Sequence, residues 1–213
     1  GVVVEEWRTG RDAITRVSNR QIPVMLRGST YALRLPIGTK ENLESFPDSV
    51  ARAFYRDWYR PDLMAVIAVG DFDPATMARL IQARFARIPM PNAPRRRAEA
   101  PVPDHAETLV SIEADREYPG RDVSMLWLKP RMHERTTADM RRGLVARFHD
   151  TMLNLRFAEI AQHPDAPFAY AGGGRGDIVR TKAAFQLNAG VKDNGFSAAA
   201  EALLAEVERA RRF

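Results

Sequence analysis

The chain has 213 residues, 45% of them hydrophobic, which is enough for one large domain or two smaller ones. It has no cysteine, so disulfides, thiolate metal ligands and a cysteine nucleophile are excluded. No apolar stretch approaches the roughly 20 residues that cross a bilayer, and the 32 basic residues exceed the 27 acidic ones by a margin spread along the chain.

Residues 2–26 are predicted as one helix, because Val3, Trp7, Gly10, Ile14 and Val17 recur at helical spacing and Pro23 marks an end or a kink. A second helix is predicted over 47–59, with Val50, Phe54 and Trp58 on one face. Leu63-Met-Ala-Val-Ile-Ala-Val69 is continuous and apolar between Pro61 and Gly70, the pattern of a strand buried on both faces. Asp73-Pro74 then opens a helix, with Asp as N-cap and Pro at its first position, and Met77, Leu80, Ile81 and Phe85 as its buried stripe.

Residues 88–103 carry five of the 14 prolines. Each proline lacks a donor N–H, so this stretch cannot continue a helix or a central strand and is expected to be an extended linker. Its run Arg95-Arg96-Arg97 has no interleaved aromatic residue, which fits a solvated segment better than a single-strand nucleic-acid surface.

Beyond the linker, 108–114 and 122–128 are predicted strands, with Tyr118-Pro-Gly120 supplying a turn. A long helix follows over 137–162, with Leu144, Phe148, Met152 and Leu155 on its inward side, stopping before Pro164. Strands are expected at 168–170 and 182–191, then a helix from 196 to the end with Ala200, Leu203 and Val207 inward. Mixed elements with adjacent strands indicate an α+β fold rather than a doubly wound sheet. The chain opens without Met and ends inside a helical pattern at Phe213, so it is expected to be a piece of a longer protein. No signal-peptide pattern is visible near Gly1, which says nothing of the parent.

Three features invite a site. On the first helix Glu6 falls on the flank of the apolar stripe while Glu5 points almost opposite, and a carboxylate there needs a partner, either an arginine or a metal. Ala171-Gly-Gly-Gly-Arg-Gly176 lacks the phosphate-loop pattern G-x-x-x-x-G-K-[ST] and is taken as a flexible strand or bulge. His149 and Asp150 are adjacent on a helix, where neighbours point apart, so they are not expected to form a dyad.

Four segments, in order, resemble the insulinase/pitrilysin family of zinc peptidases: Val2-Val-Val-Glu-Glu6-Trp; Leu35-Pro-Ile-Gly-Thr39; Phe54-Tyr-Arg-Asp-Trp-Tyr-Arg-Pro-Asp-Leu-Met64 running on through Ala65-Val-Ile-Ala-Val-Gly-Asp-Phe-Asp-Pro74; and, more loosely, residues 107–163. The resemblance implies parts of two repeated α/β sandwich domains, with mainly antiparallel sheets and helices on one face. The expected boundaries are 1–89 for the later part of the first, zinc-bearing domain, 90–106 for the Pro/Arg-rich linker and 107–213 for the beginning of the second. It further implies that Zn2+ is held by the two histidines of an H-x-x-E-H motif, whose glutamate is the general base, and by a later glutamate. The match to the Val-Val-x-x-Glu pattern makes Glu6 that later ligand.

The sequence departs from the family at the motif itself. Its four histidines, His105, His133, His149 and His163, are scattered, and none stands in H-x-x-E-H. One carboxylate does not hold zinc firmly, since zinc sites use three or four protein ligands. The expected function is therefore a portion of a zinc metalloendopeptidase that is inactive alone, with the general base upstream. Its partners would be an extended peptide and the remaining domains or a paired subunit, in a bacterial periplasm or cell envelope as the resemblance suggests. The alternative is a zinc-less scaffold half of the same family. A third reading, a basic nucleic-acid-binding module, would show affinity falling steeply with salt.

Overall fold

A computed structural model describes residues 1–193 and 195–212. The chain divides into two compact units, one of residues 1–7 and 37–99, the other of 8–36 and 100–213. The architecture is α+β, and no helix among the described residues is long and apolar enough to cross a membrane.

The predicted first helix is two helices. α1 spans Val2–Thr9 and α2 spans Ala13–Met25. The break falls at Gly10–Asp12 because Asp12 starts a new helix, its carboxylate accepting the Thr15 N–H at 2.7 Å. α2 continues two residues past Pro23, so the proline does not end it.

In the first unit, α4 (Asp48–Trp58) and α5 (Pro74–Phe85) form near their predicted places, and a short helix not predicted from the sequence, α3 (Lys40–Ser45), precedes them. Asp73 caps α5 through the Thr76 N–H at 2.7 Å, which also draws the Asp73 carboxyl below its ordinary range. The strand predicted at 63–69 is absent: a 3-10 turn at Pro61–Leu63 runs into unpaired chain. Ile67 and Val69 are 84% and 92% exposed. A strand needs a ladder partner for its N–H and C=O groups, and none of the described residues supplies one. The predicted stripes of α4 and α5 are not buried either: Val50, Phe54, Leu80 and Phe85 are exposed. Among the described residues of this unit the one buried side chain is a charged one, Arg60.

The second unit has a hydrophobic core. β1 (Asp122–Pro130), β2 (Phe168–Val179) and β3 (Lys182–Val191) form an antiparallel sheet in the order β1-β3-β2. α6 (Thr137–Ala161) packs against β2, and α7 (Phe196–Ala210) against β3 and β1. α6 starts at a capping box, in which Thr136 and Asp139 each bond the other's backbone N–H. Leu153 and Phe157 from α6, Ala199 and Leu203 from α7, and Phe168, Leu187, Ala189 and Val191 from the sheet close the core. Phe157, Phe168, Leu187 and Leu203 are fully buried, each contributing about 1.5–3 kcal/mol of transfer free energy. The inward residues of α6 are therefore Leu153 and Phe157, whereas the predicted Leu144, Phe148, Met152 and Leu155 are exposed. Leu203 of α7 is inward as predicted, and Phe213 lies outside the described residues.

The strand predicted at 108–114 is an extended segment without a ladder. Side chains of α2, and Arg27 just beyond its end, hold it and its flanks instead. Arg16 donates to both Asp115 oxygens at 2.8 and 2.6 Å and to Glu117 at 2.7 Å, Arg20 donates to Glu113 at 2.8 Å, and Arg27 pairs with Glu107. Further back, the buried Lys182 ammonium donates to the Val102 carbonyl at 3.2 Å and pairs with Asp104, and Thr181 donates to the Ala100 carbonyl at 2.7 Å.

Candidate functional site

Glu6 lies in the last turn and a half of α1 on an exposed position. Among the described residues no group of three or more His, Asp or Glu is placed to hold a metal ion. The donor set present therefore does not form a zinc site by itself. The histidines are not drawn together: His105 lies 2.7 Å from the Glu107 carbonyl, and His149 contacts a carboxylate of its own helix.

That second contact corrects the geometric expectation for His149 and Asp150. The two do touch, Nδ1 to Oδ1 at 3.2 Å. Asp150 is nevertheless committed elsewhere: it pairs with the Arg175 guanidinium and accepts the Arg175 N–H at 3.1 Å. A carboxylate held by a cation orients the histidine weakly, and no nucleophile stands beside the pair among the contacts seen.

The glycine run sits inside β2, an edge strand, and one turn of α6 fastens it. The Asn154 side chain donates to the Gly173 carbonyl and accepts the Gly173 N–H, both at 2.8 Å. With the Asp150 bond to Arg175, the backbone groups of 173 and 175 are satisfied by the helix rather than by a further strand, which blunts the sheet edge. The missing side chain at 173 is what lets β2 pack this closely on β3. A Cβ on Gly173 would stand 2.5 Å from Leu187 Cδ2 and 3.1 Å from the Gln186 carbonyl. Arg175 also lies over the Phe185 ring, its guanidinium carbon 5.1 Å from the centroid. Beside this strand a shallow cleft of about 390 Å3 is lined by the glycines with Arg175, Asp177, Gln186 and Asn188. Such a cleft offers hydrogen bonds and one cation, with no paired acid and base for bond cleavage.

Two groups of residues were not legible in the sequence. Asp150 and Asn154 carried a faint signal, two polar residues four apart on a helix otherwise read for its apolar stripe. Arg56, Arg60 and Arg95 carried none, since they are separated by up to 39 positions and converge only in the fold.

Comparison with known proteins gives the family. The domain described as Peptidase M16 inactive domain matches residues 49–213. A zinc protease PQQL-like protein of Arabidopsis thaliana is 36% identical over 169 residues, which is 79% of this chain and 18% of that protein. A probable zinc protease PqqL of Haemophilus influenzae is 26% identical over 160 residues, 75% of this chain and 17% of its own length. The crystal structure of the periplasmic protease PqqL of Escherichia coli superposes with a TM-score of 0.81 at 25% identity, covering 97% of this chain and 23% of that one. The chain thus spans less than a quarter of each of these proteins. It belongs to the M16 peptidases, the insulinase/pitrilysin family, and the stretch from residue 49 to 213 corresponds to that family's inactive-type domain.

Proposed function

We propose that this chain is a portion of a zinc-dependent endopeptidase that hydrolyses peptides with water activated on zinc, and that this portion is inactive alone. One observation carries the reading: the chain matches a family whose relatives are named zinc proteases, yet it contains no H-x-x-E-H and no metal-holding group among its described residues. The two histidines and the general base then come from residues outside this chain. Glu6 is the single ligand assigned here, supported by its Val-Val-x-x-Glu setting and its exposed place on α1. Residues 1–89 are assigned to the later part of the zinc-bearing domain, 90–106 to a linker and 107–213 to the start of the second domain. An extended peptide is the substrate class, and the remaining domains or a paired subunit complete the chamber. Similarity to a periplasmic protease supports a periplasmic or envelope location.

The test is Glu6→Gln in the intact protein, read by metal analysis and by cleavage of an unstructured peptide. Loss of bound zinc together with cleavage is expected; retention of a full equivalent of zinc removes Glu6 from the ligand set. A second reading, a zinc-less half that walls the chamber, is favoured by the inactive-type description of residues 49–213. It predicts that the intact protein lacks H-x-x-E-H and binds no zinc before or after the substitution.

A further inference from the structure

In the first unit, the side chains of Arg56, Arg60 and Arg95 converge on a pocket of about 270 Å3 whose remaining walls are Asp57, Pro91 and Ala93. Arg60 is the unusual member. Its side chain is only 6% exposed, and among the described residues its Nε and Nη1 make no hydrogen bond. Nε lies 3.0 Å from an Asp62 oxygen, an ion pair whose angle falls short of a hydrogen bond. Buried guanidinium donors are nearly always bonded, so two unbonded nitrogens on an arginine that lines a pocket mark a place for an acceptor.

The surroundings hold that guanidinium in place. The Trp58 ring contacts two cations, with the Arg60 guanidinium carbon 5.8 Å and that of Arg95 5.7 Å from its centroid. Asp57 tethers the other two arginines, 3.0 Å from Arg56 and 3.6 Å from Arg95. Three guanidiniums against the carboxylates of Asp57 and Asp62 leave one positive charge to be matched. A monoanion balances the site, whereas a doubly charged phosphate would overshoot it. Arginine forks also suit the planar, two-oxygen geometry of a carboxylate. The volume admits one such group and a short stem, not a cofactor.

We propose that this pocket binds a single carboxylate group, presented by an acidic side chain or by the chain end of a peptide. Arg60 makes the buried contact and Arg95 and Arg56 close over it. Nothing in this assignment depends on zinc or on peptide cleavage, so it stands or falls apart from the peptidase reading.

The experiment is a fluorescence titration of the intact protein, with Trp58→Phe identifying the part of the signal that comes from Trp58. The probes are a doubly capped peptide with one glutamate, its glutamine twin, a peptide whose only acid is its C-terminal carboxylate, and inorganic phosphate. A saturable Trp58 response to one or both carboxylate peptides is expected, with none to the glutamine twin. Which of the two responds separates side chain from chain end. Arg95→Gln, at an exposed position, is expected to weaken binding about tenfold, and Arg60→Gln to abolish it. Equal binding of the glutamine twin, unchanged affinity in Arg95→Gln, or tighter binding of phosphate would each overturn the proposal.

Discussion

The Tyr170 hydroxyl donates to the Asp122 carboxylate at 2.5 Å, although the two residues stand on the outer strands of the sheet with β3 between them. The register explains the reach: Gly190 of β3 pairs with Asp122 on one side and with Tyr170 on the other. A Cβ on Gly190 would lie 2.2 Å from the Tyr170 ring, so the ring crosses the sheet only because position 190 has no side chain. Tyr118 donates to the other Asp122 oxygen at 2.5 Å. Gly190→Ala is expected to expel the Tyr170 ring and destabilise the protein by about 1–3 kcal/mol, as overpacking does. Thermal unfolding checks the loss, and an unchanged Tm would mean that the ring has another resting place.

The same cluster makes an alkaline prediction. Hydrogen bonding to the Asp122 anion, then burial, raises the Tyr118 hydroxyl from 10.0 to about 12, and the same causes raise Tyr170. A folded-state pKa above the unfolded one contributes stability that is complete below pH 10 and is lost as pH rises towards 12. Phenolate absorbance should show two of the five tyrosines titrating late. Asp122→Asn should return both to the common titration and flatten the alkaline fall in Tm.

Asn154 is expected to matter more than its polarity suggests. Asn154→Leu removes both bonds to Gly173 and leaves that N–H and C=O without their helix partner, a cost of about 1–3 kcal/mol per unsatisfied group. Urea unfolding measures the loss. Asn154→Asp keeps the acceptor for the Gly173 N–H and should recover part of it, which a purely steric role for residue 154 would not allow.

What the sequence revealed depended on where each element finds its partners. α5 was legible to the residue because Asp73, Pro74 and Thr76 are local and make the cap themselves. β1 and β3 lie close to their predicted bounds, 122–128 and 182–191, and their register places them side by side. β2 was predicted as three residues and spans twelve, since a glycine run has no side-chain pattern and its strand geometry comes from β3 and from Asn154. The segments 63–69 and 108–114, predicted as strands, are not strands, because a hydrophobic or alternating pattern does not supply a ladder partner. Helix geometry leaves an arginine or a metal open as the partner of Glu6 and the family pattern chooses the metal, while no pattern marks Arg60 for burial.

α6 provides a direct comparison of pattern with packing. Phe157 is fully buried and meets Phe168 edge-on at 6.3 Å, while Phe148 is 67% exposed. Phe157→Ala is expected to cost about 3–5 kcal/mol through lost transfer and a cavity. Phe148→Ala should stay within about 0.5 kcal/mol, as surface changes do. Chemical unfolding of the two variants distinguishes this packing from one in which the predicted stripe of Leu144, Phe148 and Met152 faces the core, for which the order would reverse.

The ion pairs between α2 and residues 107–117 make the acid behaviour of the second unit predictable in sign. Arg16 hydrogen bonding holds the Asp115 carboxyl far below its ordinary 3.8, and Arg27 holds Glu107 below its ordinary 4.5. Depressed carboxylates contribute stability that is complete above those ordinary values and is lost as pH falls through the folded ones. Native protein should therefore keep the segment fastened at neutral pH and release it only in strong acid, with exposed pairs such as Arg27–Glu107 weakened first by salt. Arg16→Gln removes the Asp115 and Glu117 contacts together. Its Tm deficit relative to the native chain should be constant across neutral pH and shrink as pH falls below the ordinary carboxyl value of 3.8, where the unfolded chain takes up a proton that native Asp115 accepts only in stronger acid. A deficit that stays the same in strong acid would show that Arg16 acts by packing its stem rather than by charge, and the segment would then be held mainly by Lys182 and Thr181 through residues 100–104.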